Sequence, residues 1–212
     1  MELLESVGKV VWAVEKNEKK LMVKSQDATV IVSWDNPITS NVMDAAKGTL
    51  RGIVTYGVGY DFIDVGAATK RGLYVANCRG SNAQAVAELA VTLMLNISRR
   101  AHFGDRFIRE GRWRSWKHPR VLKGKELAGK TLGLIGMGEI GRKVARIAKG
   151  FEMDIVVFDP YLSPETVRQA GAEAADLPSI MKKADYIAVS AWGLISPSVG
   201  QIYQSSEVRA RS

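Results

Sequence analysis

An apolar run that breaks on spaced glycines and restarts as a helix leaves a chain few ways to fold. Here Leu132-Gly133-Leu134-Ile135 leads into Gly136-Met137-Gly138-Glu139-Ile140-Gly141. A helical pattern follows from Arg142 to Phe151, then a second apolar run, Ile155-Val156-Val157-Phe158, which ends at Asp159. Strand, glycine turn, helix and strand in that order form a nucleotide-binding β-α-β unit. Each glycine has a steric reason to be there. Gly136 permits the tight turn, Gly138 lets the backbone approach a pyrophosphate with no Cβ in the way, and Gly141 lets the helix pack close to the sheet. The helix N-terminus offers free N–H groups and a partial positive charge to phosphates. Asp159 ends the second strand, where a carboxylate accepts hydrogen bonds from ribose hydroxyls and repels a 2′-phosphate. The pattern favours NAD over NADP. A glycine turn used only for packing, or an S-adenosylmethionine site in a methyltransferase, has the same local geometry.

Upstream, strand-like and helix-like segments alternate. Lys9–Val14 reads as a strand, and Asn17 caps a helix over Glu18–Val23. Ala28–Val32 is a continuous β-branched run of the kind buried on both faces. Thr39 or Ser40 caps a short helix through Ala46, closed by Gly48, and Gly52–Thr55 and Leu73–Ala76 read as further strands. This rhythm predicts a parallel sheet covered on both faces. Tyr56-Gly57-Val58-Gly59-Tyr60 follows one of those strands. Glycines at a strand's C-terminal end can expose backbone N–H groups to a small anion. A loop that merely turns the chain reads the same way.

Asn82–Arg100 is a long helix, apolar around nearly its whole circumference, which predicts burial between domains or subunits. A polar, basic connector follows, punctuated by Gly104 and Gly111. In the second block, Ser163 caps a helix that begins at Pro164 and ends at Gly171. Asp176 caps Leu177–Lys183, and Tyr186–Ser190 is a strand. After Ala191 no period of 2 or 3.6 is sustained. The division expected is residues 1–80, 81–191 and an irregular tail, 192–212.

Composition excludes several classes. A single cysteine, Cys78, rules out an intrachain disulfide, and the acidic start lacks a signal-peptide core. No apolar stretch approaches a membrane span, so a cytoplasmic location is expected, and no metal site is read from the sequence. The net charge of +8 is concentrated between Arg99 and Lys125, interleaved with Trp113 and Trp116. Such a patch can attract nucleic acid, but no base-reading motif accompanies it, so a solvated connector is expected instead.

The two glycine clusters, in this order, resemble the D-isomer-specific 2-hydroxyacid dehydrogenases, the family of phosphoglycerate dehydrogenase and hydroxypyruvate reductase. The match runs from about Met1 to Ala191. It includes Gly57-Val58-Gly59 with Asp61, Ile63 and Asp64, Ala67-Ala68-Thr69-Lys70-Arg71-Gly72, and Asn82-Ala83-Gln84-Ala85-Val86-Ala87-Glu88. Gly111-Arg112-Trp113, Leu127-Ala128-Gly129-Lys130-Thr131, Asp159-Pro160-Tyr161 and Ala184-Asp185-Tyr186 complete it. The resemblance implies an α/β chain with a flavodoxin-like substrate domain and an incomplete Rossmann domain. Tyr56, Gly57, Val58 and Gly59 would hold a substrate carboxylate. Gly138, Glu139 and Ile140 would lie under the pyrophosphate, with Asp159 on the ribose and Val86, Ser190 and Ala191 near the nicotinamide; Gly136, Gly141 and Pro160 complete the cofactor-binding set. A homodimer through the 82–100 helix and the 111–117 arm is implied too.

The implied activity is NAD-dependent oxidation or reduction of a small 2-hydroxy or 2-keto acid. The family's catalytic arginine, carboxylate and histidine follow the strand that begins at Tyr186. No such pattern follows it here, and His102 and His118 both precede the glycine turn. The expectation is therefore a chain truncated at its C-terminus and slightly at its N-terminus, with no catalytic residue and impaired turnover. A non-catalytic NAD(H)-binding or interaction protein, or a frame-shifted fragment without function, are the alternatives.

Overall fold

The structure is a computed structural model that describes residues 2–14, 16–46, 48–113 and 122–190, and the chain divides into two compact units, Met1–Asn82 and Ala83–Ser212.

The first unit runs α1 (Glu2–Glu5), α2 (Glu18–Ser25), β1 (Val30–Ser33), α3 (Ser40–Ala45), β2 (Gly52–Thr55), α4 (Val65–Lys70) and β3 (Tyr74–Asn77). Side-chain caps start the helices: Asn17 accepts from Lys20 N, Thr39 from Val42 N, and Asp64 from Ala67 N at 2.8 Å. The sheet is parallel in the order β1-β2-β3. Val30, Gly52 and Tyr74 stand side by side at one end, and Ser33, Thr55 and Asn77 at the other. Both crossovers step the same way, so right-handed connections put α3 and α4 on the same face. That face carries the core, in which Val42, Met43, Ile53 and Ala68 are fully buried.

Two expectations fail here. The sheet of this unit is covered on one face only: Val30 and Val32 are about half exposed and Tyr74 almost wholly so. One-way winding leaves the second face without a helix from within the unit. Lys9–Val14 forms no strand; Val11, Trp12 and Val14 are exposed. Neither edge of the three-stranded sheet pairs with it, and β-branched composition does not make a strand without a ladder partner.

The second unit runs α5 (Ala83–Arg99), α6 (Ala101–Arg109), β4 (Thr131–Ile135), α7 (Glu139–Lys149), β5 (Asp154–Phe158), α8 (Pro164–Gln169), β6 (Glu173–Ala174), α9 (Leu177–Lys183) and β7 (Tyr186–Val189). Its parallel sheet has the order β6-β5-β4-β7. The chain winds outward from β4 through β5 to β6, then returns to the far side of β4, so here helices cover both faces. On one face α7 and α8 supply Val144, Ala145, Ala148 and Val167 to a core with Leu132, Leu134, Ile155 and Val157. On the other, α9 approaches so closely that a Cβ on Gly133 would stand 2.5 Å from Ile180 and 3.0 Å from Ala184. The two-residue strand β6 is too short to show a period in the sequence.

The segment between Arg100 and Gly111, expected as a connector, is helical. Arg100, at φ 53°, breaks the chain from α5, and α6 buries Phe107 and carries the ion pairs Asp105–Arg109 and Arg106–Glu110. Pairs four apart on a helix offset the cost of Gly104. Within this chain α5 is buried on one face only, through Ala87, Val91 and Met94, while Leu89, Leu93 and Ile97 are more than half exposed. No described helix is long and apolar enough to cross a membrane.

Candidate functional site

The glycine turn sits at the C-terminal end of β4, where the strand order reverses between β4 and β7. Gly136 has φ 90°, a conformation that carries no penalty only for glycine, and its N–H donates to the Phe158 carbonyl at 2.8 Å. A Cβ on Gly141 would run into the Gly136 carbonyl oxygen and come within 3.2 Å of its carbon. Gly141 is thus what lets α7 start against the turn. Gly138 differs. Its φ of −73° suits any residue, and a Cβ there would meet nothing within 4 Å. No side chain caps the first turn of α7. An exposed glycine, open space before it and an uncapped helix N-terminus fit a phosphate group. Of the residues assigned to the pyrophosphate, Gly138 and Glu139 are exposed and Ile140 is half-buried, while Gly136 and Gly141 of the same turn are buried.

Asp159, half-buried at the end of β5, is tied to this turn. Its Oδ2 accepts from Met137 N at 2.8 Å and its Oδ1 from Tyr161 N at 2.9 Å. A carboxylate has about four acceptor positions, so two remain for ribose hydroxyls. Pro160 follows it, exposed. Ser190 lies over the turn from the other side: its N–H donates to the Ile135 carbonyl, and its Cβ is 3.8 Å from the Cβ position of Gly141. Val86 is partly exposed on α5, near Gln84, whose Oε1 accepts from Arg146 Nη2 of α7 at 3.2 Å. Ala191 lies outside the described residues, as do His118, most of the 111–117 arm and the 192–212 tail. A groove of about 430 Å³ lies at the opposite end of this sheet, against Thr131, Asp154 and Glu173, and contains none of the predicted residues.

In the first unit, Tyr56–Tyr60 forms a loop at the C-terminal end of β2. Three successive carbonyls of this loop accept hydrogen bonds from the protein. Gly57 O accepts from Cys78 N at 2.8 Å, Val58 O from Asn77 Nδ2 at 2.9 Å, and Gly59 O from Thr55 Oγ1 at 3.0 Å. A trans peptide is planar, so each carbonyl held one way aims the next N–H the opposite way. The N–H groups of Val58, Gly59 and Tyr60 are therefore each turned away from the atom that anchors the preceding carbonyl. Gly57 has φ 159°, and Val58 and Tyr56 are exposed.

Sequence reasoning named the loop but missed what holds it. Thr55, fully buried, and Asn77 end neighbouring strands in register. Polar side chains closing apolar strands at the C-terminal edge of the parallel sheet were the available signal. Met137, which supplies the N–H that holds Asp159, was missed as well. Among the described residues no group of His, Cys, Asp or Glu can hold a metal ion.

Residues 91–193 match the sequence pattern of the D-isomer specific 2-hydroxyacid dehydrogenase, NAD binding domain. A glyoxylate reductase from Korarchaeum cryptofilum is 40% identical over 167 residues, 79% of this chain and 50% of that protein. A D-3-phosphoglycerate dehydrogenase from Methanocaldococcus jannaschii is 38% identical over 189 residues, 88% of this chain and 35% of that protein. Among solved structures, the TT0316 protein from Thermus thermophilus superposes with a TM-score of 0.80 at 31% identity, covering 95% of this chain and 63% of that one. The chain spans about half the length of the glyoxylate reductase and less of the phosphoglycerate dehydrogenase. Fold, strand order, glycine turn and sequence identity agree: the chain belongs to the D-isomer specific 2-hydroxyacid dehydrogenase family.

Proposed function

We propose that this chain binds NAD(H) at the Gly136–Gly141 turn and a small 2-hydroxy or 2-oxo acid, by its carboxylate, at the Tyr56–Gly59 loop. The observation that carries the reading is the open, uncapped start of α7 at Gly138, with Asp159 hydrogen-bonded to the same turn. Gly138, Glu139 and Ile140 would hold the pyrophosphate, and Asp159 the adenosine ribose, with Val86, Pro160, Ser190 and Ala191 beside the cofactor. A 2′-phosphate would meet the Asp159 carboxylate, so NADH is preferred over NADPH. The bound nicotinamide supplies or accepts a hydride. The net reaction converts a 2-oxo acid, a hydride and a proton into a 2-hydroxy acid. Val58 and Gly59 N–H groups would orient the acid through its carboxylate and leave its C2 carbonyl free.

The proton exchanged at the C2 oxygen needs a donor, and histidine is the usual one near neutral pH. His118 lies outside the described residues. His102 is exposed on α6, with Nδ1 3.1 Å from Asn96 Oδ1. We therefore assign binding of cofactor and acid to these residues, and no proton-transfer role to His102. We further propose that the exposed stripe of α5, Leu89, Leu93 and Ile97, joins two copies, together with the 111–117 arm.

Fluorescence titration of the purified chain with NADH and with NADPH, followed by a glyoxylate reduction assay, tests the reading. Saturable NADH binding, weaker NADPH binding and little turnover are expected. Equal affinity for both cofactors would remove the role of Asp159. Brisk turnover would show that a proton donor had been overlooked.

A further inference from the structure

The first unit carries two large aromatic rings where its own core has no use for them. Ser33 and Thr55 are register partners at the ends of β1 and β2, and Tyr56 N donates to the Ser33 carbonyl at 2.8 Å. Trp34 and Tyr56 therefore occupy the next row across the sheet. Their rings meet edge-on, with centroids 6.1 Å apart and planes at 75°. Trp34 is nevertheless 73% exposed and Tyr56 69%. Neither belongs to the hydrophobic core of the unit. Clustered exposed apolar side chains mark contact sites, and an edge-to-face pair offers flat faces to a third ring. Tyr56 immediately precedes Gly57, so the pair adjoins the loop of the three anchored carbonyls. The charged neighbour of Trp34, Asp35, is paired with Lys16.

We propose that Trp34 and Tyr56 form the side-chain subsite for the acid held at the Gly57–Val58–Gly59 loop, and that they select 2-oxo acids carrying an aromatic side chain. This rests on the carboxylate reading of that loop. With the carboxylate on the N–H groups of Val58 and Gly59, the substituent beyond C2 lies along the two rings. An acid with no carbon beyond C2 leaves both rings wet.

Calorimetric titration of the full chain with pyruvate and with phenylpyruvate, which differ by one phenyl group, tests this. Phenylpyruvate is expected to bind at least about tenfold more tightly, the scale at which an apolar pocket discriminates. Trp34→Ala should reduce that preference to about twofold by weakening phenylpyruvate far more than pyruvate, with the melting temperature unchanged because the exposed indole is not part of the core. Trp34→Phe should retain most of the preference. Asn77→Asp, which sets a carboxylate against the Val58 carbonyl, should weaken both acids alike. Equal binding of the two acids by the unaltered chain, or a preference that survives Trp34→Ala, overturns the subsite and leaves the loop reading standing. Binding of neither acid overturns both. A change in association state in Trp34→Ala, with the preference intact, makes the rings a protein contact and also overturns the subsite.

Discussion

A methyl group at Gly141 would collide with the Gly136 carbonyl, and the peptide that carries this carbonyl is held by its own N–H, Met137 N donating to Asp159 Oδ2 at 2.8 Å. Gly141→Ala is accordingly expected to destabilise the second unit by roughly 1–3 kcal/mol, the usual cost of overpacking. Urea unfolding of the variant measures it, and an unchanged midpoint would mean that α7 shifts freely. At this scale the glycines and Asp159 were legible because their roles follow from steric and charge rules that act within one β-α-β unit. Thr55 and Asn77 were not. Asn77 reaches a carbonyl nineteen residues back in the chain, and only the parallel register of β2 and β3 brings the two together. The sequence likewise assigns Asp159 ribose hydroxyls as partners, and only the fold shows that two backbone N–H groups already use its carboxylate.

Helix ends were the most readable elements. Asn17, Thr39, Ser163 and Asp176 each cap as their residue type suggests. Asp176 makes a pH prediction. Hydrogen bonds from Ser179 hold its carboxyl below the ordinary carboxylate value. A group depressed in the folded state stabilises above its unfolded pKa, and that stabilisation is lost as pH falls through the folded one. The gap in melting temperature between the unaltered chain and Asp176→Ala should therefore be constant near neutrality and close below about pH 4. A gap that persists in acid would assign the effect to something other than the charged cap. What misled at this scale was hydrophobic pattern without topology. Lys9–Val14 has strand composition and no ladder partner, and α6 hid behind Gly104 and its charges, which turn out to be paired. The apolar circumference of α5 predicts burial between domains or subunits, and within this chain one face of it is exposed. Leu93→Lys on that face is expected to leave secondary structure intact and to convert a dimer to a monomer in sedimentation velocity. An unaltered chain that sediments as a monomer would contradict the α5 contact.

Winding direction explains the whole molecule better than composition does. Both units alternate strands and helices, and the alternation alone predicted sheets covered on both faces. The first unit winds one way and covers one face; the second reverses at β4 and covers two. The reversal also creates the crevice edge at which an open parallel sheet receives its ligand, and the glycine turn, Asp159 and Ser190 meet there. The claim that this edge binds NAD(H) is tested most directly at Gly138, where folding and binding make opposite demands. An aspartate there suits the backbone conformation and caps α7, so it favours the fold. The same carboxylate would stand in the space assigned to the pyrophosphate and repel it. NADH titration of Gly138→Asp beside the unaltered chain, with melting temperatures for both, is the decisive measurement. Equal or higher thermal stability is expected, together with at least about a hundredfold loss of NADH affinity, as placing like charges in contact costs several kcal/mol. Undiminished NADH binding in a folded Gly138→Asp protein would contradict the assignment of this edge to the cofactor.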